Sequence, residues 1–195
     1  MTIDELKKYV SIKEIKGDCV RVKANEGYIL KLGESYTDEL YCERSTIPDN
    51  LVVIPYSTYL IESNKEKYKG MTVEEAKEIL IAEITAYDTS SAVNGFVLNG
   101  ALVWLDKATR VGLMNSTTIA KAAGQETTTL WLGDVKLVVD CDKAIQLLSA
   151  LEMYALECFN VTASHKAAVG ELKTIEAVEA YDYKTGYPKM LEMSV

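Results

Sequence analysis

Between residues 141 and 172 side chains recur at alternating steps of four and three: Leu147, Leu151, Tyr154, Cys158, Val161, His165, Ala168 and Leu172. That run predicts one helix from about Cys141 to Leu172, and nothing else in the chain limits the fold so strongly. At 1.5 Å per residue the rod is about 45 Å long. Other elements must pack along it, or it must pair with a second copy of itself. The stripe mixes small, aromatic and polar residues rather than Leu and Ile, which favours a core helix over a coiled coil. Asp140-Cys141-Asp142 reads as an N-cap with acids at the positive end of this helix.

Two hairpins precede it. In "GFVLNGALVW" the Asn99-Gly100 pair signals a two-residue type I′ turn. Pairing outward sets Leu98 against Ala101, Val97 against Leu102 and Phe96 against Val103. Both faces are then apolar, so this hairpin is expected to be covered on both, with Trp104 in the core. In "TTTLWLGDVKLVVD" the turn falls at Gly133-Asp134, with Leu130, Leu132, Val135 and Leu137 on one face and Trp131 opposite Lys136 on the other. Between the hairpins, "LDKATRVGLMNSTTIAKAAGQ" predicts a short helix, a restart at Ser116 and a stop at Gly124.

The first 70 residues read differently. Thr2 with Glu5 forms a capping-box pattern for a short first helix. "CVRVKANEGYILKL" sets Val20, Val22 and Ala24 inward and Arg21 and Lys23 outward, with Asn25-Glu26-Gly27 as the turn of a hairpin. "LYCERS" and "LVVIPY" are further strands. "NKEKYKGM", Asn64 to Met71, is polar, ends in glycine and reads as a linker. Thr72 with Glu75 then caps a helix whose Val73, Ala76, Leu80 and Ile84 share one face.

Charge is uneven along the 195 residues: residues 1–72 carry 11 basic and 12 acidic side chains, residues 73–195 carry 10 and 17. An acidic body repels phosphate, which argues against a nucleic-acid partner. "MTIDELKKYV" has no apolar core of signal-peptide length, and "GFVLNGALVWL" is too short to span a bilayer, so neither export nor a membrane is expected. Cys19, Cys42, Cys141 and Cys158 form no CxxC pair and are expected as buried thiols.

Chemistry-bearing patterns are sparse. Ser90 or Ser91 as a nucleophile would need a base, and the single histidine, His165, lies on the apolar stripe. Asp88-Thr89-Ser90-Ser91 reads instead as turn chemistry ending a helix. One His and four dispersed Cys do not supply zinc spacing. "DCD" lacks the glycine and the terminal glutamate of a calcium loop. Glu74-Glu75 and Glu176/Glu179 sit on helix surfaces as solvated faces. There is no phosphate loop and no dinucleotide fingerprint. No catalytic residue, metal ligand or cofactor is expected. Twelve tyrosines and two tryptophans remain, and Trp131, Tyr181, Tyr183 and Tyr187 are the candidates for partner binding.

The blocks "YDTSSAVNGFVLNGALVWLDKATRVGLM", "TTTLWLGDVKLVVD", "LLSALEMYALECFNVTASHKAAVGEL" and "YDYKTGYPKML" occur in an order that resembles a domain of unknown function of tailed phages and prophages. That domain is common near tail-fibre and baseplate genes in viruses of gut bacteria. The resemblance spans about residues 74–193 and brings no catalytic residues with it. A variable N-terminal unit followed by this domain is also similar to small tail-fibre assembly proteins.

The expected architecture is α+β: a small β-rich N-terminal docking domain over residues 1–70, then a domain over 71–195 of two hairpins packed on a long helix. The expected function, implied by the resemblance, is a non-enzymatic structural component of a tailed-phage virion in the tail, baseplate or fibre attachment. It would bind other phage tail or fibre proteins or a second copy of itself, in the virion tail and in the host cytoplasm during assembly. The alternatives are a tail-fibre assembly chaperone and a carbohydrate-binding tip module.

Overall fold

The structure, a computed structural model, describes residues 6–43, 47, 48, 50–133 and 135–194. The chain is α+β and divides into two compact units. The first comprises residues up to Thr72 together with Thr174–Asp182; the second comprises Val73–Lys173 and the residues from Tyr183 onward. The Thr2–Glu5 capping box lies outside the described residues.

In the first unit β1 (Val10–Lys16), β2 (Cys19–Ala24) and β5 (Glu39–Glu43) form one antiparallel sheet in the order β1-β2-β5. A second antiparallel sheet has β3 (Tyr28–Leu32) between β4 (Ser35–Thr37) and β6 (Leu51–Pro55). Val10, Val20 and Val22 from one sheet and Leu30 and Leu51 from the other share a single apolar cluster. Val20 and Val22 point inward as expected, but β2 and β3 are not hairpin partners. β2 pairs back onto β1 through a turn at Gly17, which adopts φ +61°. The charged residues of "SIKEIKGD" conceal that strand: Lys13, Glu14 and Lys16 interrupt the apolar signal although Val10 and Ile12 still face inward.

The expected linker is also different. A helix, α1 (Tyr56–Lys67), takes in the first half of Asn64–Met71, and Asn64 is buried. Its side-chain amide donates to the Glu179 carbonyl at 2.7 Å. Glu179 belongs to α6 (Ile175–Glu179), whose N-cap is Thr174. This is why residues 174–182, expected in the C-terminal domain, join the first unit. A polar residue in a linker pattern was a buried hydrogen-bond donor.

In the second unit α2 (Val73–Asp88) buries Ala76, Leu80 and Ile84, as its spacing predicts. The single turn α3 (Ser91–Asn94) leads into β7 (Gly95–Leu98), which pairs with β8 (Ala101–Trp104) in the expected register. Asn99 and Gly100 have φ of 49° and 83°, the left-handed pair that a type I′ turn requires. A short strand, β11 (Leu191–Met193), lies parallel to β7 on its other side.

The region from Lys107 to Ala122 is one uninterrupted helix, α4, with Asp106 as its N-cap, so there is no restart at Ser116. The second hairpin is β9 (Thr127–Leu132) with β10 (Val135–Asp140), in the expected register. Asp134 of its turn lies outside the described residues.

α5 (Cys141–Glu171) is the long helix. The Asp140 carboxylate accepts from the backbone N–H groups of Asp142 and Lys143, as the N-cap reading requires. At its other end Lys77 Nζ donates to the carbonyls of Gly170 and Leu172 at 2.7 and 3.2 Å, placing a cation on the negative helix terminus.

The buried line of α5 departs from the expected stripe after Cys158. It passes through Thr162 and Val169 rather than Val161 and Ala168, and Ala168 is exposed. A straight helix at 3.6 residues per turn slips about 20° per heptad against a strict seven-residue repeat. Over this length the slip amounts to nearly one residue. Leu147, Leu148, Leu151, Tyr154 and Cys158 join Phe96, Leu98, Leu130 and Leu132 in the core. Each Leu-sized side chain so buried stabilises the fold by roughly 1.5–3 kcal/mol.

Two substitutions probe these arrangements. A Cβ on Gly95 would lie 2.2 Å from the Ser91 carbonyl oxygen, so the backbone of α3 or β7 has to shift. Gly95→Ala should destabilise the second unit by about 1–3 kcal/mol, read from the urea midpoint. Asn64→Ala leaves the Glu179 carbonyl without its donor and should cost about 1–3 kcal/mol, with faster amide exchange across 174–182.

Candidate interaction site

The Asp88-Thr89-Ser90-Ser91 stretch is a hydrogen-bonded turn. Ser90 Oγ donates to the Tyr87 carbonyl at 2.6 Å, Thr89 Oγ1 to the Ala86 carbonyl, and the Asn94 amide to the Asp88 carbonyl. His165 is half-buried on α5, with Nε2 2.9 Å from the Thr185 carbonyl. The serine and histidine side chains are each engaged with a backbone carbonyl, the Asp88 carboxylate takes a hydrogen bond from the Thr162 hydroxyl, and no hydrogen bond joins His165 to Ser90. Among the described residues no three His, Cys, Asp or Glu side chains gather as a metal site. No described helix is long and apolar enough to cross a membrane. Cys141 and Cys158 are buried thiols, whereas Cys19 and Cys42 are only partly covered. The latter two pair with Glu43 and Val20 across β2 and β5, which puts them on opposite faces of the sheet.

The four aromatic candidates do not form one set. Trp131 is 56% exposed on β9, with Lys136 Nζ 5.9 Å from its ring centroid. Tyr181 belongs to the first unit and is half-buried. Tyr183 and Tyr187 both pack edge-on to Tyr87, at 5.6 and 5.5 Å between ring centroids. The Thr162 hydroxyl donates to Asp88 Oδ1 at 2.8 Å and so accepts from the Tyr187 hydroxyl at 2.9 Å. Tyr183 and Tyr187 therefore fasten the C-terminal segment to α2 and α5.

Tyr154 does the same deeper in the core. Its hydroxyl donates to the Val93 carbonyl at 2.7 Å, and the Cys158 thiol reaches the same oxygen at 3.5 Å. Burial pushes the Tyr154 phenol up to about 12 and raises the Cys158 thiol as well.

A surface emerges where the sequence predicted cover. β8 turns Leu102 and Trp104 outward, 63% and 42% exposed, so the first hairpin is covered on one face only. α5 adds Met153, Leu156 and Phe159 on its outer side, three residues apart and all exposed. Between Trp104, Leu156 and Phe159 opens a pocket of about 370 Å³. Arg110 lies in its wall, itself only 7% exposed; its Nε donates to Glu152 at 2.9 Å and its Nη1 to the Leu105 carbonyl at 2.8 Å. Asp88 and Asp106 are also in the wall. The Asp106 carboxyl is held below its ordinary value by the Thr109 hydroxyl and the Thr109 backbone N–H.

Sequence reasoning assigned Trp104 to the core and passed over Leu156 and Phe159. The signal was present in the helix pattern. Met153, Leu156 and Phe159 lie off the core stripe, and large apolar residues on a second helix face mark a face meant for cover.

Residues 75–185, more than half of the chain, match the family described as Domain of unknown function (DUF4376), and the chain belongs to that family. No curated protein and no solved structure matches the chain.

The Tyr154 geometry sets a pH dependence. A phenol raised from near 10 to about 12 contributes stability that is complete below pH 10 and is lost as pH rises towards 12. Absorbance at 295 nm should show a late-titrating tyrosine that coincides with alkaline unfolding of the second unit, and Tyr154→Phe should remove it.

Proposed function

We propose that the chain is a non-enzymatic structural component of a tailed-phage virion, in the tail, baseplate or fibre attachment, and that it works by binding other tail or fibre proteins. The observation that carries the binding part is the set of exposed apolar side chains Trp104, Leu156 and Phe159 around one pocket, with Leu102 and Met153 exposed on the same strand and helix. Clustered large apolar side chains of this kind favour a protein partner, because covering them removes apolar surface from water. The virion part is supported by the order of sequence blocks over about residues 74–193. A second copy of the chain is another occupant that the same face admits. An assembly chaperone would use this face transiently, and a glycan-binding tip module would use the exposed Trp131 instead.

Quantitative mass spectrometry of purified particles tests the reading. A virion component should appear at a fixed ratio to the major tail protein. Abundance in infected cells with absence from particles would sink it and leave the chaperone.

A further inference from the structure

The pocket beside Trp104 is large enough for one long side chain or a small ligand. Its wall is unevenly equipped. Trp104 and Phe159 supply aromatic rings, while Ala155 and Leu156 supply aliphatic surface. Arg110 is the buried cation, but it spends Nε on Glu152 and Nη1 on a carbonyl. Asp88 accepts from Thr162 through Oδ1 alone, and its second oxygen has no partner among the described residues. Asp106 adds another carboxylate, loaded only by the neutral donors of Thr109. Lys107, exposed, brings one opposing charge.

Carboxylates next to exposed rings suit a cation on an apolar stem. The head is attracted by both the charges and the ring faces, and the methylenes lie along apolar wall. We propose that this pocket receives an arginine or lysine side chain presented by a partner protein, as the anchor of the interface. The net charge of −8 acts in the same direction, drawing basic surfaces towards the chain. The assignment rests on the protein-binding reading given above and specifies what the partner must carry.

The test uses the full chain with Trp131→Phe, which leaves Trp104 as the sole tryptophan and its emission as a report on the pocket. Titration with N-acetyl-argininamide should give a saturable shift, with N-acetyl-citrullinamide, of the same shape but uncharged, about tenfold weaker. Asp88→Asn should weaken the arginine response about threefold or more with the circular dichroism unchanged. Phe159→Ala, at an exposed position, should weaken it too and serves if Asp88→Asn does not fold. Equal responses to arginine and citrulline, a stronger response to N-acetyl-glutamine's acidic counterpart N-acetyl-glutamate, or no saturable response would overturn the assignment. An arginine response from a chain missing in particles would keep the pocket and remove the virion reading; the converse result would remove the pocket alone.

Discussion

The second unit depends on the hydrogen bond from the Tyr154 hydroxyl to the Val93 carbonyl. That carbonyl sits at the entrance to β7, where α3 is too short to satisfy its own backbone groups. An unmatched carbonyl in the core would cost about 1–3 kcal/mol. The phenol, reinforced by Cys158, answers it from the middle of α5 and so fixes where the long helix lies against the first hairpin. Tyr187 and Thr162 extend the same polar line to Asp88, and the C-terminal segment closes over it. Apolar burial supplies most of the stability, but this line of hydroxyls selects one packing among the many that an apolar stripe would accept.

What the sequence made legible was local and short-range. Asn99-Gly100 fixed a hairpin register because few other pairs adopt two positive φ values. Asp140 caps the long helix where expected, since its side chain competes for backbone N–H groups. What stayed hidden depended on neighbours far away in sequence. The burial of Asn64 is decided by Glu179, and no window around residue 64 contains it. β1 is masked by charges that its sheet leaves in solvent. The slip of the α5 stripe is a property of helix geometry over several heptads, which a spacing rule of four and three cannot register.

The candidate site was the least legible part, for a related reason. Trp104 was assigned to the core because its strand is apolar on both faces, and only the tertiary arrangement shows which face stays open. The four aromatics singled out in advance are dispersed instead: Trp131 on a hairpin, Tyr181 in the first unit, Tyr183 and Tyr187 packed on Tyr87. Aromatic content alone does not distinguish a strut from a contact surface. Exposure beside a concavity does.

The contact between Asn64 and Glu179 also orders events in time. Residues 73–173 are all synthesised before the second partner exists, so the first unit cannot reach its final form while the chain is only that far out of the ribosome. The second unit in turn takes in the residues from Tyr183 onward, which are made later still, so each unit closes on a segment synthesised after residue 173.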